Sequence, residues 1–142
     1  MADGEAIQLK TSGQCLCGDV RYDIDGEVSR AHACHCKQCL RQSGHFAVSV
    51  DVKRADFSLT SDTGLKWFRS SDIARRGFCG NCGSAILWDD GGDRIIVSTG
   101  SMDNHGDLKL ESHIFVDEKP TYYSISDGLP QFAGYDQPFD DS

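Results

Sequence analysis

The cysteines of this 142-residue chain fall into three short clusters, and their spacing constrains the fold more than any other feature. The clusters are Cys15 and Cys17, then Cys34, Cys36 and Cys39, then Cys79 and Cys82. Because the total of seven is odd, complete disulfide pairing is impossible. The thiols divide naturally into two pairs that make one four-sulfur site, and a triplet that makes a second site.

The two outer pairs predict a structural metal site. In residues 79–83 (CGNCG), the turn aims both sulfurs at one point, and the trailing glycine lets backbone amides approach them. Residues 15–18 (CLCG) form a turn that is one residue tighter. Joining the pairs through one zinc ion would fasten the start of a sheet to its middle. Buried cysteines without a ligand, or a redox pair at Cys79 and Cys82, are the alternatives.

The triplet predicts a metal site with an open position. A turn followed by a helix can bring the sulfurs of Cys34, Cys36 and Cys39 onto one face of a zinc ion, which then lacks a ligand. Zinc held by three protein ligands keeps a position for water or substrate, so this site would be catalytic. A fourth ligand from His32 or His45 would instead close the site and make it structural. A metal-free thiol or disulfide site is the remaining alternative.

The charge of the triplet indicates the chemistry that it suits. Three thiolates leave a formal negative charge on Zn²⁺, which favours a soft ligand such as another thiolate over the formation of hydroxide. The predicted partner is therefore a small thiol. Basic residues that could receive its carboxylates are Lys37, Arg41, Arg69, Arg75 and Arg76. Candidate hydrogen-bond donors to the reacting groups are His35, His45, Lys37 and Ser43.

Composition limits the class of protein further. A length of 142 residues, 39% hydrophobic residues and 15 glycines indicate one domain with a modest core and many turns. The net charge of −8 disfavours nucleic acid and anionic membranes as partners. No stretch has the apolar length of a signal peptide or a membrane span, so we expect a cytoplasmic protein with reduced thiols.

Alternating apolar residues predict a mainly β fold. Val20, Tyr22 and Ile24 alternate with charged residues, and residues 46–52 repeat the alternation more strongly. Further strands are predicted within residues 57–59, 65–70, 73–78, 84–88, 94–99 and 111–116. Helix is limited to residues 37–43 and one turn at residues 102–105. The expected architecture is a zinc-stapled roll or sandwich of small antiparallel β-sheets with one or two short helical turns.

Three stretches together resemble the glutathione-dependent formaldehyde-activating (GFA) family, also called the centromere protein V/GFA domain. They are residues 13–22 (GQCLCGDVRY), 34–39 (CHCKQC) and 79–84 (CGNCGS). Residues 113–116 (HIFV) and 125–132 (ISDGLPQF) are also similar to many bacterial members. The predicted GFA-like zinc domain spans residues 12–132, between an N-terminal extension at 1–11 and an acidic C-terminal tail at 133–142. We expect the chain from Gln131 onward to be loosely docked.

The resemblance implies two zinc ions per chain. The implied structural ligands are Cys15, Cys17, Cys79 and Cys82, and the implied catalytic ligands are Cys34, Cys36 and Cys39. The implied activity joins glutathione to formaldehyde, giving S-hydroxymethylglutathione, so the hypothesis is a zinc-dependent carbon–sulfur lyase-type enzyme. One alternative is a non-catalytic zinc-stabilised binding module, which needs a closed triplet. Another is a zinc-containing methionine sulfoxide reductase-like enzyme, which needs a reactive cysteine away from the metal.

Overall fold

The computed structural model describes residues 6–135, which form ten β-strands and one α-helix. The strands are β1 (Ile7–Gln14), β2 (Val20–Val28), β3 (Ala31–Cys34), β4 (Ala47–Lys53), β5 (Phe57–Asp62), β6 (Leu65–Arg69), β7 (Arg75–Cys79), β8 (Ala85–Asp89), β9 (Arg94–Ser98) and β10 (Leu110–Ile114). Helix α1 spans Lys37–Ser43, and short 3-10 turns cover Arg54–Asp56, Thr99–Ser101 and Val116–Glu118. The mainly β class predicted from the sequence is confirmed.

The strands join in one hydrogen-bonded network. Its main path runs β1-β2-β4-β9-β8-β7-β6, with β5 paired to β2 and β3 paired to β4. These pairs are antiparallel, whereas β10 pairs with β3 in parallel. Strand β4 is the junction, because its first residues pair with β3 and its last residues with β9 and β2. Strand β3 lies between β4 and β10.

The hydrophobic core covers one face of β2, β4 and β9. Val20, Tyr22 and Ile24 are buried, as their alternation predicts. Val50 and Val52 are buried on β4 and pack in the same core. The residues that alternate with them on β4 are only partly buried and lie on the opposite face of the sheet. That second face is available to line a cleft.

Strand β1 was not expected from the sequence. Its inward positions hold Ile7, Leu9, Thr11 and Gly13, and because the last two are not large apolar residues, the alternation is weak. Glycine is required at position 13, since a Cβ there would lie 2.2 Å from the hydroxyl oxygen of Tyr22. The strand includes residues 7–11 of the predicted N-terminal extension.

The helical turn predicted at residues 102–105 is wrong. The helical turn in this region covers Thr99–Ser101, and Met102 is buried in an isolated antiparallel bridge to Gly13. Pairing with the neighbouring strand satisfies the backbone here, so tertiary contact overrides local propensity.

The start of the predicted loose tail is docked beside β10. The Phe132 N–H donates to the carbonyl of His113 at 2.9 Å, and the Val116 N–H donates to the carbonyl of Phe132 at 3.0 Å. The Phe115 N–H donates to the carbonyl of Gly134 at 2.9 Å. Residues 136–142 of the tail lie outside the described residues.

Helix α1 begins at the cysteine triplet for a local reason. Cys36 is its N-cap: the backbone there is extended, and the sulfur accepts a hydrogen bond from the Cys39 N–H at 3.4 Å. Gly44 ends the helix in a left-handed conformation with φ of 91°. The bounds agree with the helix predicted at residues 37–43. Within residues 6–135, no helix has the length and apolar character needed to cross a membrane.

Candidate metal centres

Four sulfurs from two distant turns meet at one point, as the spacing of the outer pairs predicts. The sulfurs of Cys15, Cys17, Cys79 and Cys82 all lie within 4.8 Å of one another. The Cys17 sulfur is 3.7 Å from the sulfurs of both Cys15 and Cys79. Tetrahedral zinc with Zn–S bonds of about 2.3 Å requires sulfurs about 3.8 Å apart, whereas a disulfide requires about 2.05 Å. This group could therefore hold a metal ion, and its geometry fits zinc.

The local sequence shapes both turns of this four-sulfur site. Gly18 and Gly83 have φ values of 89° and 85°, which L-residues rarely adopt, so the glycine after each pair is needed. The Leu16 N–H donates to the hydroxyl of Ser84 at 3.0 Å and ties the first turn to the second. The site thus joins the β1–β2 connection to the β7–β8 connection.

Neutral groups donate hydrogen bonds to the sulfurs of the four-sulfur site. The donors are the Val20 N–H to Cys15, the Asn81 and Cys82 N–H groups to Cys79, and the Asn81 side-chain amide to Cys17, at 3.3 to 3.4 Å. The hydroxyl of Ser84 lowers the pKa of Cys82 to about 5. Such bonds stabilise thiolates and orient metal ligands without adding a charge.

The triplet lies where β3 and β10 end and β4 begins. Cys34 is the last residue of β3 and pairs with Ala47 of β4 and Ile114 of β10. Cys36 caps α1, and Cys39 is buried in its first turn. The three sulfurs lie within 4.8 Å of one another, so this group could also hold a metal ion. We call it the three-sulfur site.

Within residues 6–135, no fourth protein ligand completes the three-sulfur site. This range includes all five histidines of the chain. His32 lines the adjacent cleft without joining the group of ligand atoms. His45 places its Nδ1 2.5 Å from the hydroxyl oxygen of Tyr122. The geometry favours the open form of the site over the histidine-closed form.

Contacts among the three thiols of this site shift their pKa values in opposite directions. Hydrogen bonds from Cys34 and Cys39 lower the pKa of Cys36 to about 2. The same pairing raises the pKa of Cys34, because its proton is needed in the hydrogen bond. A cation is therefore required to hold all three groups as thiolates.

Two of the basic residues predicted near the triplet lie there. Arg76 places Nη1 and Nη2 at 3.8 and 3.9 Å from the sulfur of Cys39, and Lys37 lines the adjacent cleft. Arg75 instead forms an ion pair of 3.1 Å with the buried Asp89. The other two predicted residues are exposed and do not line the cleft; they are Arg41 and Arg69.

A cleft of about 850 Å³ opens beside the three-sulfur site. Its floor is the second face of the sheet, where the strand register places Trp88 next to Ile96 and Arg76 next to Trp88. Phe115 adds an aromatic wall, and its φ of 56° lies in the left-handed region that bulky residues seldom adopt. Ser43 also lines the cleft, and its hydroxyl donates to the carbonyl of Cys39 at 2.8 Å. The cleft combines an apolar floor with cationic groups near the sulfurs.

His35, between two of the cysteines, is fully buried and belongs to a separate network. Its Nδ1 lies 2.6 Å from the hydroxyl oxygen of Tyr123, and its Nε2 lies 2.9 Å from Nδ1 of His113. His113 in turn places Nε2 2.8 Å from a carboxylate oxygen of Asp127. Both ring nitrogens of His35 are therefore engaged, so this residue is not available as a metal ligand or as a donor to substrate.

The hydrogen bonds of this network have a direction. The carboxylate of Asp127 accepts; with both rings neutral, His113 donates to Asp127, His35 donates to His113, and Tyr123 donates to His35. Burial, with His113 adding to the effect, lowers the pKa of His35 to about 4, which keeps the ring neutral near pH 7. The network therefore holds the middle of the triplet segment against β10.

Sequence reasoning did not identify Tyr123, His113 and Asp127 as neighbours of the triplet. Tyr123 and His113 lie 88 and 78 residues from His35 along the chain, and only the pairing of β10 with β3 brings this region close. The sequence contains one indication of their importance: His113 and Asp127 lie in the C-terminal stretches that carry the family resemblance.

The arrangement of the cysteines disagrees with the alternative of a methionine sulfoxide reductase-like enzyme. All seven cysteines lie within residues 6–135, none forms a disulfide, and each belongs to one of the two sites. A zinc-containing sulfoxide reductase would need a reactive cysteine away from the metal, and the chain has none to supply. The arrangement disfavours that alternative.

Comparison with known proteins agrees with this geometry. Residues 10–118 match the model of a family described as "Glutathione-dependent formaldehyde-activating enzyme". A protein of Schizosaccharomyces pombe described as an uncharacterized lyase is 23% identical over 124 residues, which cover 85% of this chain and 89% of that protein. The residues that match the family include both sulfur sites and the strands that position them.

Proposed function

This chain belongs to the glutathione-dependent formaldehyde-activating enzyme family, and on that premise we propose that it is a zinc-dependent carbon–sulfur lyase-type enzyme. Its proposed substrate is the adduct of a small, glutathione-like thiol with an aldehyde such as formaldehyde. The observation that carries the proposal is a cluster of three sulfurs that has no fourth ligand among residues 6–135 and opens onto a cleft. The description of the yeast relative as a lyase supports the same reaction class.

The proposal assigns different roles to the two sites. The four-sulfur site is closed by protein ligands and joins two turns, as expected for structural zinc. In the described part of the chain, the three-sulfur site has three protein ligands, one fewer than closed zinc requires, as expected for catalytic zinc. The proposed ligands are Cys15, Cys17, Cys79 and Cys82 for the structural ion, and Cys34, Cys36 and Cys39 for the catalytic ion.

Zinc at the three-sulfur site would supply a Lewis-acid position at which a thiol loses its proton more readily. In the proposed reaction, a sulfur–carbon bond forms while the carbonyl π pair moves to oxygen, and the thiol proton ends on that oxygen. No oxidant or reductant is needed. In the opposite direction the same sulfur–carbon bond breaks and releases the thiol and the aldehyde, which is the lyase reaction.

The residues around the cleft have separate tasks in this proposal. The three cysteines fix the direction from which a ligand can approach, because their other sides are closed by α1 and β3. Lys37 is placed to receive a carboxylate of the thiol compound. Trp88, Ile96 and Phe115 give the cleft an apolar lining, which would reduce the water around a bound substrate.

The proposed function also concerns the compartment of the protein and its binding partner. A reducing compartment such as the cytoplasm would keep the seven free thiols available for metal. A small thiol is the proposed partner. Nucleic acid and membranes have no part in the proposal, in keeping with the net charge of −8.

Cobalt substitution tests the proposal directly. In protein carrying Co²⁺ in place of zinc, we expect glutathione to change the visible absorption and to add a sulfur-to-metal charge-transfer band. Adding formaldehyde should then speed formation of the S-hydroxymethyl adduct above the spontaneous rate, as measured by exchange NMR. Cys36→Ser is the matched control, because it should abolish both effects while leaving the four-sulfur site intact.

The outcomes distinguish the parts of the proposal. If no thiol changes the cobalt spectrum at millimolar concentration, the carbon–sulfur chemistry is wrong. If glutathione binds but formaldehyde turnover stays at the spontaneous rate, the thiol site stands and the aldehyde is wrong.

A further inference from the structure

We propose that Arg76 is a charge-balancing, positioning residue of the three-sulfur site, which allows an anionic thiolate to become the fourth ligand of the metal. This inference rests on the proposed function, because it concerns how the proposed thiol would bind. It assigns a specific electrostatic task to an arginine on β7 that lies 37 residues from Cys39 in the sequence.

The guanidinium of Arg76 is held against one sulfur. Its two terminal nitrogens lie 3.8 and 3.9 Å from the sulfur of Cys39, and Nη1 also donates to the side-chain oxygen of Gln42 at 2.9 Å. Cys39 and Gln42 are three residues apart on α1, so they lie on the same side of the helix. The arginine therefore bridges strand β7 to the helix that carries the sulfur.

The charge of Arg76 is not balanced by a carboxylate within residues 6–135. Within residues 6–135, no acidic side chain lies within ion-pair distance of this guanidinium. Its Nε is buried and has no hydrogen-bond partner in that part of the chain. A buried or half-buried cation without a counter-charge is costly unless an anionic group lies beside it. The sulfur of Cys39, which would be a thiolate when it binds metal, is the group of the three-sulfur site that this arginine contacts.

The charge of the three-sulfur site with its metal explains the need for Arg76. Three thiolates on a divalent metal leave one net negative charge, and a fourth thiolate would raise it to two. A nearby positive charge reduces the repulsion that the incoming anion meets. The four-sulfur site has only neutral amide and hydroxyl groups among the sulfur donors described above. That site receives no further anion, so neutral donors are sufficient there.

Lys37 does not replace Arg76 in this role. It lines the cleft, but its backbone N–H donates to the carboxylate of Glu118 at 2.9 Å, which brings a negative charge close to the same position. No contact between the ammonium of Lys37 and a sulfur is seen among the described residues. Arg76 is the cation placed in direct contact with a triplet sulfur.

The test compares an anionic ligand with a neutral ligand at the same metal. In the cobalt-substituted protein, the affinities of 2-mercaptoethanol, glutathione and imidazole are measured from the visible absorption of wild type and Arg76→Gln. Because 2-mercaptoethanol carries no carboxylate, only its thiolate can respond to the arginine. We expect Arg76→Gln to weaken thiol binding by about tenfold or more, with imidazole binding little changed.

Three further variants separate the effect of charge from the effect of structure. Arg76→Lys keeps the positive charge and should retain most of the thiol affinity. Arg41→Gln makes the same change in net charge at an exposed position on α1 and should leave both affinities unchanged. Arg76→Met, a second neutral variant, should reproduce the result of Arg76→Gln.

Each outcome bears on the inference. Equal loss of thiol and imidazole binding would indicate a purely structural role and would overturn it. Loss of glutathione binding with unchanged 2-mercaptoethanol binding would also overturn it, because Arg76 would then be a carboxylate receptor. If wild type binds imidazole but neither thiol, the proposed function itself fails, whereas normal thiol binding by Arg76→Gln defeats this inference alone.

Discussion

The four-sulfur site joins the β1–β2 connection to the β7–β8 connection, whereas the three-sulfur site lies at the end of β3 beside an open cleft. Both sites use cysteine sulfur, and both sit at the ends of strands. They differ in what surrounds the sulfurs: neutral amide and hydroxyl donors at the first, and an arginine and a buried histidine network at the second. The ligand type alone therefore does not determine the role of a site.

In the proposed function, this difference separates a site that holds the fold from a site that binds a ligand. A closed site with neutral donors gains stability from the metal and exposes no reactive position. An open site depends on its surroundings to fix the ligand segment, because three ligands constrain it less than four. In this protein α1, β10 and the His35 network provide that support.

The largest expected difference between the sites is in folding. Cys82→Ser should remove much of the roughly 10 kcal/mol or more that structural zinc contributes to folding, leaving an unfolded or poorly folded chain. Cys36→Ser should remain folded with one metal, partly because serine is also a favoured N-cap for α1. Circular dichroism, thermal melting and elemental analysis would measure this. The reverse ranking would show that the roles of the two sites are exchanged.

Metal removal should separate the sites by rate. Purified protein should contain two zinc ions per chain, and a chelator should remove the ion of the three-sulfur site first, because its open position gives the chelator access. The far-UV circular dichroism should not change during this first phase. One tightly held zinc together with reactive thiols in the native protein would contradict the two-site assignment.

The free energy of unfolding should depend on pH through His35, whose network lies beside the three-sulfur site. Its pKa is lowered by burial to about 4, so between about pH 6.5 and pH 4 the unfolded chain binds more protons than the folded protein. Stability should therefore fall as the pH falls through this window, with His35 contributing at most about 3 kcal/mol.

Denaturant titrations across this pH range would measure the effect. His35→Gln should have a shallower dependence than wild type, whereas replacing the exposed His105 by asparagine should leave the dependence unchanged. Equal slopes in wild type and His35→Gln would show that the network does not keep this ring neutral.

The smallest expected effect concerns a neutral donor of the four-sulfur site. Asn81→Ala removes the side-chain amide that donates to the sulfur of Cys17 at 3.3 Å. We expect about a tenfold loss of metal affinity at this site, with the fold retained. Competition with a chromophoric chelator would measure it, and the unchanged affinity of the three-sulfur site serves as an internal control. Equal weakening of both sites would argue against a local donor role.

Much of the scaffold could be predicted because its signals are local. The alternation predicts the strand that begins at Val20, which runs two residues beyond the predicted end at Gly26, and the helix at Lys37–Ser43 lies between the triplet and Gly44 as predicted. Strand β1 was not predicted, because threonine and glycine occupy two of its inward positions. The parallel pairing of β10 with β3 was not predicted either, because it joins segments that are distant in the sequence and leaves no local pattern in either of them.

The sequence by itself determined the grouping of the cysteines and the turns that present them, because ligand spacing and trailing glycines act over a few residues. The tertiary structure decided what surrounds the open site. Arg76 reaches the sulfur of Cys39 across 37 residues of chain, and His113 reaches His35 across 78. Those contacts depend on strand order and register, which arise from packing the whole sheet rather than from any single stretch of residues.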